Sequence, residues 1–259
     1  MKRAVRFFEN LLFPPRCAAC HGLMQKNILD LCEDPLCDRC RLEWEREKGE
    51  SCPDCGLEML ACRCYPDRMR KAGFSDAIKL VNYRSDRETA GRRAILHMKK
   101  HLNAKSFDFF AEQLSYPVKR YMDDHGLSAQ QVVFCHVPRG KKNVAQYGFD
   151  QSAQLCRRLA ACCGAQAYDV IFRRSGRDAE QKKLSAQERA ENAQNKFDVD
   201  KDVLSAFAGK VKCLFLVDDV ITTGSSLCGC AKQLTPCFDG TVVAVAIART
   251  PLGRRTSSF

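Results

Sequence analysis

Apolar runs bounded by polar turns recur through the last three-quarters of the chain. Residues 211–217 are short and mostly apolar, the pattern of a strand buried on both faces of a parallel sheet. Residues 131–137 and 241–249 read the same way, 76–83 alternates like a strand, and 168–173 is a short one. Ser85-x-x-Glu88 is a capping box ahead of a basic helix ending near His101. A second helix is expected from Phe107 to about Met122, with a kink at Pro117. The stretch from Gln146 leads into a helix ending near Gly164, and 226–234 reads as another. Between them lies a polar stretch, 174–183, placed to close over a ligand, and then Ser185-x-x-Glu188, a further capping box. Strands alternating with helices over 76–249 predict an α/β fold, a parallel sheet with helices on both faces.

The first 70 residues do not follow that pattern. Nine of the chain's 17 cysteines lie before residue 65, and the other eight are scattered through apolar stretches as small buried hydrophobes. Cys17-x-x-Cys20 and Cys37-x-x-Cys40 form one pair of knuckles; Cys52-x-x-Cys55 and Cys62-x-Cys64 form another. Short cysteine pairs suit tetrahedral zinc, because a tight turn aims both thiolates at one ion. The default pairing is sequential, with Cys17, Cys20, Cys37 and Cys40 on one ion and Cys52, Cys55, Cys62 and Cys64 on a second. Crossed pairing, or Cys32 in place of Cys37, stays open. With so few aliphatics the segment is expected to fold around metal, held structurally, with no open position for catalysis. This sets a boundary near residue 70: a cysteine-rich zinc module over 1–70 and the α/β domain over 71–259, joined by a linker after Cys64.

Charge sharpens the division. The net +11 lies wholly in 71–259, since 1–70 holds 12 Lys+Arg against 12 Asp+Glu. Such an excess suits polyanions, whether pyrophosphate or nucleic acid. No apolar run approaches 18 residues, so no membrane span is expected. The basic, then apolar start has no small-residue cleavage site and reads as a segment docking on its own protein, in a cytoplasmic chain.

The candidate chemistry is concentrated at 214–226, Leu-Phe-Leu-Val-Asp-Asp-Val-Ile-Thr-Thr-Gly-Ser-Ser. The expected strand ends in Asp218 and Asp219, where an open α/β sheet places its ligand. A helix starting directly afterwards points unpaired N–H groups and a positive dipole end at the loop. Gly224 lets the backbone approach an anion, and Thr222, Thr223, Ser225 and Ser226 add hydroxyl donors. The carboxylates suit vicinal sugar hydroxyls beside that phosphate. A nucleotide P-loop is excluded, because Cys230 stands where its lysine should be.

This stretch resembles the signature of type I phosphoribosyltransferases, which bind phosphoribosyl pyrophosphate (PRPP). By that resemblance the two acids hold the ribose hydroxyls and residues 222–226 wrap the 5′-phosphate. The whole chain is similar to the ComF family of competence-associated, amidophosphoribosyltransferase-like proteins. The likeness runs from Phe13-Pro14-Pro15-Arg16-Cys17-x-x-Cys20 through Cys52-Pro53-x-Cys55-Gly56 to Val137-Pro138 and Gly148-Phe149-x-Gln151. It continues with Gln181-x-x-Leu184, Arg189-x-x-Asn192, Phe197 and the acid pair; Tyr147 and Asp150 stand where the family usually has arginine and asparagine. The resemblance implies a role in DNA uptake during natural transformation, with PRPP, incoming single-stranded DNA and a helicase as partners. An active transferase passing ribose 5-phosphate to an acceptor is the alternative, with magnesium arriving on PRPP. The basic turn at Arg139, Lys141 and Lys142 is the expected diphosphate contact.

Overall fold

The computed structural model describes residues 14–24, 34–174 and 196–252. Its centre is a five-stranded, wholly parallel sheet. The strands are β1 (Phe74–Asn82), β2 (Val132–His136), β3 (Gln166–Ala167), β6 (Cys213–Ile221) and β7 (Thr241–Arg249), in the spatial order β1-β7-β6-β2-β3. A separate antiparallel pair, β4 (Ile171–Arg173) and β5 (Phe197–Val199), flanks it.

Burial on both faces explains the continuous apolar runs. In β6, Cys213, Phe215 and Val217 pack to one side and Leu214 and Leu216 to the other; in β7, Val243, Val245 and Ile247 oppose Val242, Ala244 and Ala246. The first face is covered by α3 (Ala90–Lys100), α4 (Ala104–Asp124) and α6 (Gln151–Cys162), through Ile95, Phe110 and Leu155 among others. The second carries α2 (Asp67–Lys71), α7 (Lys201–Ser205) and α8 (Ser225–Leu234), through Met69, Leu204 and Leu227. The short α5 (Lys141–Tyr147) follows β2.

The cysteine-rich segment shares this core. Helix α1 (Asp38–Gly49) buries Trp44 edge-on against Phe109 and Phe110 of α4. Its carboxylates reach the start of α3, where Glu43 Oε1 accepts from Ala90 N and Glu47 Oε1 from Gly91 N, both at 3.0 Å. They satisfy N–H groups that a helix N-terminus leaves unpaired.

Several expectations shift. Thr89, not Ser85, caps α3, accepting from Arg92 N at 3.2 Å, while Glu88 pairs with Arg92. The capping box loses because α1 supplies the remaining acceptors from across the fold. The residues after Cys64 are no linker: Tyr65 is buried, its hydroxyl donating to Phe74 O at 3.1 Å, and α2 follows at once. The helix expected to end near Gly164 is α6, capped by Asp150; the stretch leading into it also closes a short helix not foreseen, α5, which Gly148 ends at φ 80°. Of the expected strand 168–173 only 171–173 is extended, as β4 beside the main sheet, while the main sheet's edge strand β3 comes before it in the chain. The basic start, Cys32, the stretch 175–195 and its capping box lie outside the described residues. No helix among the described residues is long and apolar enough to cross a membrane.

Candidate functional site

The carboxyl ends of β2 and β6 diverge at the centre of the sheet. After β2 the chain moves outward to β3; after β6 it moves the other way, to β7. That reversal makes the crevice between them a topological switch point, where parallel sheets bind ligands. The β2–β6 ladder stops at His136↔Val217, closed by Val137 N donating to Val217 O at 2.9 Å. The β6–β7 ladder continues to Ile221↔Arg249. The strand therefore runs past the acids instead of ending at them, since only its β2 side is released. Asp218 and Asp219 sit on that released side.

A cavity of about 370 Å³ opens there. Asp218, Asp219, Thr222, Gly224, Ser225 and Ser226 line it; Thr223 does not, and its hydroxyl meets Ser225 Oγ at 2.8 Å. Gly224 is the N-cap of α8 at φ 72°, a conformation L side chains rarely adopt. A Cβ there would come within 2.7 Å of Met69 Cγ and Sδ, so the turn is seated directly on α2. Arg68 of α2 donates to Ser225 Oγ at 2.7 Å.

The two acids are held differently. Asp219, 6% exposed, is 3.2 Å from Lys99 Nζ through Oδ1 and accepts from Gln151 Nε2 at 3.0 Å through Oδ2. Asp218 Oδ1 accepts from Asp219 N at 2.9 Å and from Ser152 Oγ at 3.3 Å. Burial, and then the neighbouring Asp219 charge, push the Asp218 carboxyl up to about 7.

Of the expected diphosphate contacts, the structure brings only Arg139 to the cavity. Its guanidinium donates to Lys99 O at 3.0 Å and lies 4.7 Å from the centroid of the Tyr147 ring. Lys141 and Lys142 are exposed on α5 and do not line the cavity, although Gly140 and Asn143 on either side of them do. Two cations missed in sequence join instead. Arg173 of β4 lines the cavity and donates to Pro138 O at 2.9 Å. Lys99 follows Gly91, Ala94, Ile95 and Met98 at the spacing of the buried stripe of α3, and that spacing was the available signal.

The cysteines assemble as two groups of four: Cys17, Cys20, Cys37 and Cys40, and Cys52, Cys55, Cys62 and Cys64, each with its Sγ atoms within 4.8 Å of one another. This is the sequential pairing. A tetrahedral zinc with Zn–S near 2.3 Å spaces its sulfurs about 3.8 Å apart, and Cys20 Sγ lies 3.7 Å from Cys37 Sγ. Backbone N–H groups already donate to the thiolates, from Cys37 to Cys17 Sγ and from Cys64 to Cys62 Sγ, both at 3.3 Å. Burial, followed by the neighbouring thiolates, pushes Cys40 and Cys64 up to about 12, so four-fold ionisation requires a cation between them. Each group can bind a zinc ion.

The second group is joined to the sheet by buried cations. Arg249, fully buried at the end of β7, donates to Cys52 Sγ at 3.3 Å and to Asp54 Oδ2 at 2.5 Å. Lys79 of β1, 1% exposed, donates to Cys62 O at 2.5 Å and Ala77 O at 3.1 Å. A tetrathiolate zinc carries two net negative charges, which suits buried cations beside it; Arg249 is paired with the Asp54 carboxylate as well.

Neither protein-family models nor curated proteins give a match to this chain.

Proposed function

We propose that the crevice binds PRPP or a related sugar phosphate, in a domain of the type I phosphoribosyltransferase kind joined to a zinc-bearing segment, as in the ComF family. One observation carries this reading. Two adjacent carboxylates and a left-handed glycine turn at the start of a ten-residue helix line the same cavity, at the switch point of the sheet. The turn and α8 offer N–H and hydroxyl donors to a phosphate, and the acids offer acceptors to sugar hydroxyls. Magnesium would arrive with the ligand, on its pyrophosphate and ribose oxygens. Calorimetric titration of PRPP with magnesium tests it. Binding is expected to the wild type and not to the Asp218→Asn, Asp219→Asn double variant; equal binding to both removes the site.

Transfer of ribose 5-phosphate to an acceptor is a second reading, favoured by the three cations Lys99, Arg139 and Arg173 around the cavity. They would neutralise a departing pyrophosphate as positive charge develops on the sugar. Pyrophosphate release with candidate acceptors, lost on substitution of Lys99, supports it; release unchanged by that substitution counts against it.

The role in DNA uptake, in the cytoplasm with single-stranded DNA and a helicase, rests on the ComF resemblance and on the positive excess of residues 71–259. Affinity for single-stranded DNA is then expected to fall steeply with salt, and salt-independent binding would defeat the electrostatic version.

A further inference from the structure

Gln151 opens α6 and lines the cavity beside the acid pair, and it is only 8% exposed. Its Nε2 donates to Asp219 Oδ2. An ionised carboxylate only accepts, so the amide nitrogen must face Asp219 and the carbonyl must face away from it. That carbonyl, Oε1, is buried and has no hydrogen-bond partner among the described residues. Buried acceptors are rarely left so, and this one belongs to a side chain that lines the cavity, where a small shift of the amide brings it to a donor on the ligand.

Asp219 is in the opposite state. Both its oxygens are engaged, Oδ1 by Lys99 and Oδ2 by Gln151. Asp218 has one oxygen in use, Oδ1, and its Oδ2 makes no hydrogen bond among the described residues. Asp218 Oδ2 and Gln151 Oε1 are thus acceptors without any partner among the described residues, one on β6 and one on α6.

Resting on the sugar-phosphate reading above, we infer that Gln151 is a ligand-binding residue whose Oε1, together with Asp218 Oδ2, accepts from the ring hydroxyls of the sugar. Asp219 is a positioning residue: it fixes the Gln151 amide and holds the Lys99 ammonium beside the cavity. The site therefore takes a phosphorylated sugar with free ring hydroxyls, and the amide reads one of them.

Calorimetry on the full-length protein tests this with ribose 5-phosphate, its 2-deoxy and 3-deoxy analogues and inorganic phosphate as probes. The wild type is expected to bind ribose 5-phosphate about ten-fold more tightly than at least one deoxy analogue. In Gln151→Met that penalty is expected to shrink below about two-fold, with affinity for inorganic phosphate changed by less than about two-fold. A wild type indifferent to both deoxy analogues overturns the inference while the sugar-phosphate reading stands, whether or not any variant folds. Retention of the full penalty in Gln151→Met does the same. A wild type that binds neither ribose 5-phosphate nor PRPP removes the underlying reading itself.

Discussion

Arg249 and Cys52 are 197 positions apart in sequence, yet the guanidinium of one donates to the sulfur of the other at 3.3 Å. The next residue along, Thr250, donates its N–H to Ile221 O at 2.9 Å, immediately before the glycine turn. The end of β7 thus touches a metal-binding group on one side and the candidate ligand loop on the other.

Arg249→Met should be severely destabilising. It leaves Asp54, 11% exposed at its side chain, without its cation, and breaking a buried pair from one side costs about 3–5 kcal/mol. A lowered urea midpoint and faster zinc release to a chromophoric chelator are the expected results. A variant matching the wild type in both would show that the contact contributes little.

Elemental analysis should find two zinc ions per chain, one for each four-cysteine group. Cys40→Ala and Cys62→Ala should each retain one. Because the thiolates need the cation to stay ionised together, chelation should also lower the melting temperature of the whole protein.

Gly91→Ala tests how closely α1 and α3 approach. The added methyl would lie 2.6 Å from Glu47 Oε2 and 2.9 Å from the Trp44 ring. Helix propensity favours alanine, but overpacking of this kind costs about 1–3 kcal/mol. The denaturation midpoint should fall; a rise would mean that the two helices separate cheaply.

Asp218 gives stability a pH dependence of definite sign. Its folded-state value, about 7, lies above the ordinary 3.8, so the native state holds this proton more tightly than the unfolded chain. Its contribution is fully present below pH 4 and is lost as pH rises towards 7. Asp218→Asn should therefore raise the melting temperature relative to wild type at pH 8, with a smaller gain at pH 5. An unchanged difference between the two pH values would refute the shift.

Much of the fold could be read from periodicity alone. The range 241–249 reads as a strand and is β7, because burial on both faces makes 242–248 apolar throughout. The cysteine pairs also came together as their spacing suggested, since a two-residue loop admits few geometries. Non-local contacts were harder to foresee. Ser85 looked the better cap until Glu43 and Glu47 arrived from α1 to serve the same helix end. The acids looked like the end of β6 because nothing in their own neighbourhood announces that β7 keeps pairing beyond them. Lys99 sits in the basic end of its helix with no local mark of its role, because its partner Asp219 lies 120 residues later in the chain.

Gly224 rests on Met69, and Met69 belongs to α2, which begins three residues after the last metal-binding cysteine. A chain begun at residue 71 would therefore lose more than its cysteines: the floor beneath the anion turn would leave with them, along with Arg68 at its rim. Loss of ligand by such a fragment would report a missing support, not a metal requirement. Point substitution of the sulfurs in the full-length chain is what separates the two.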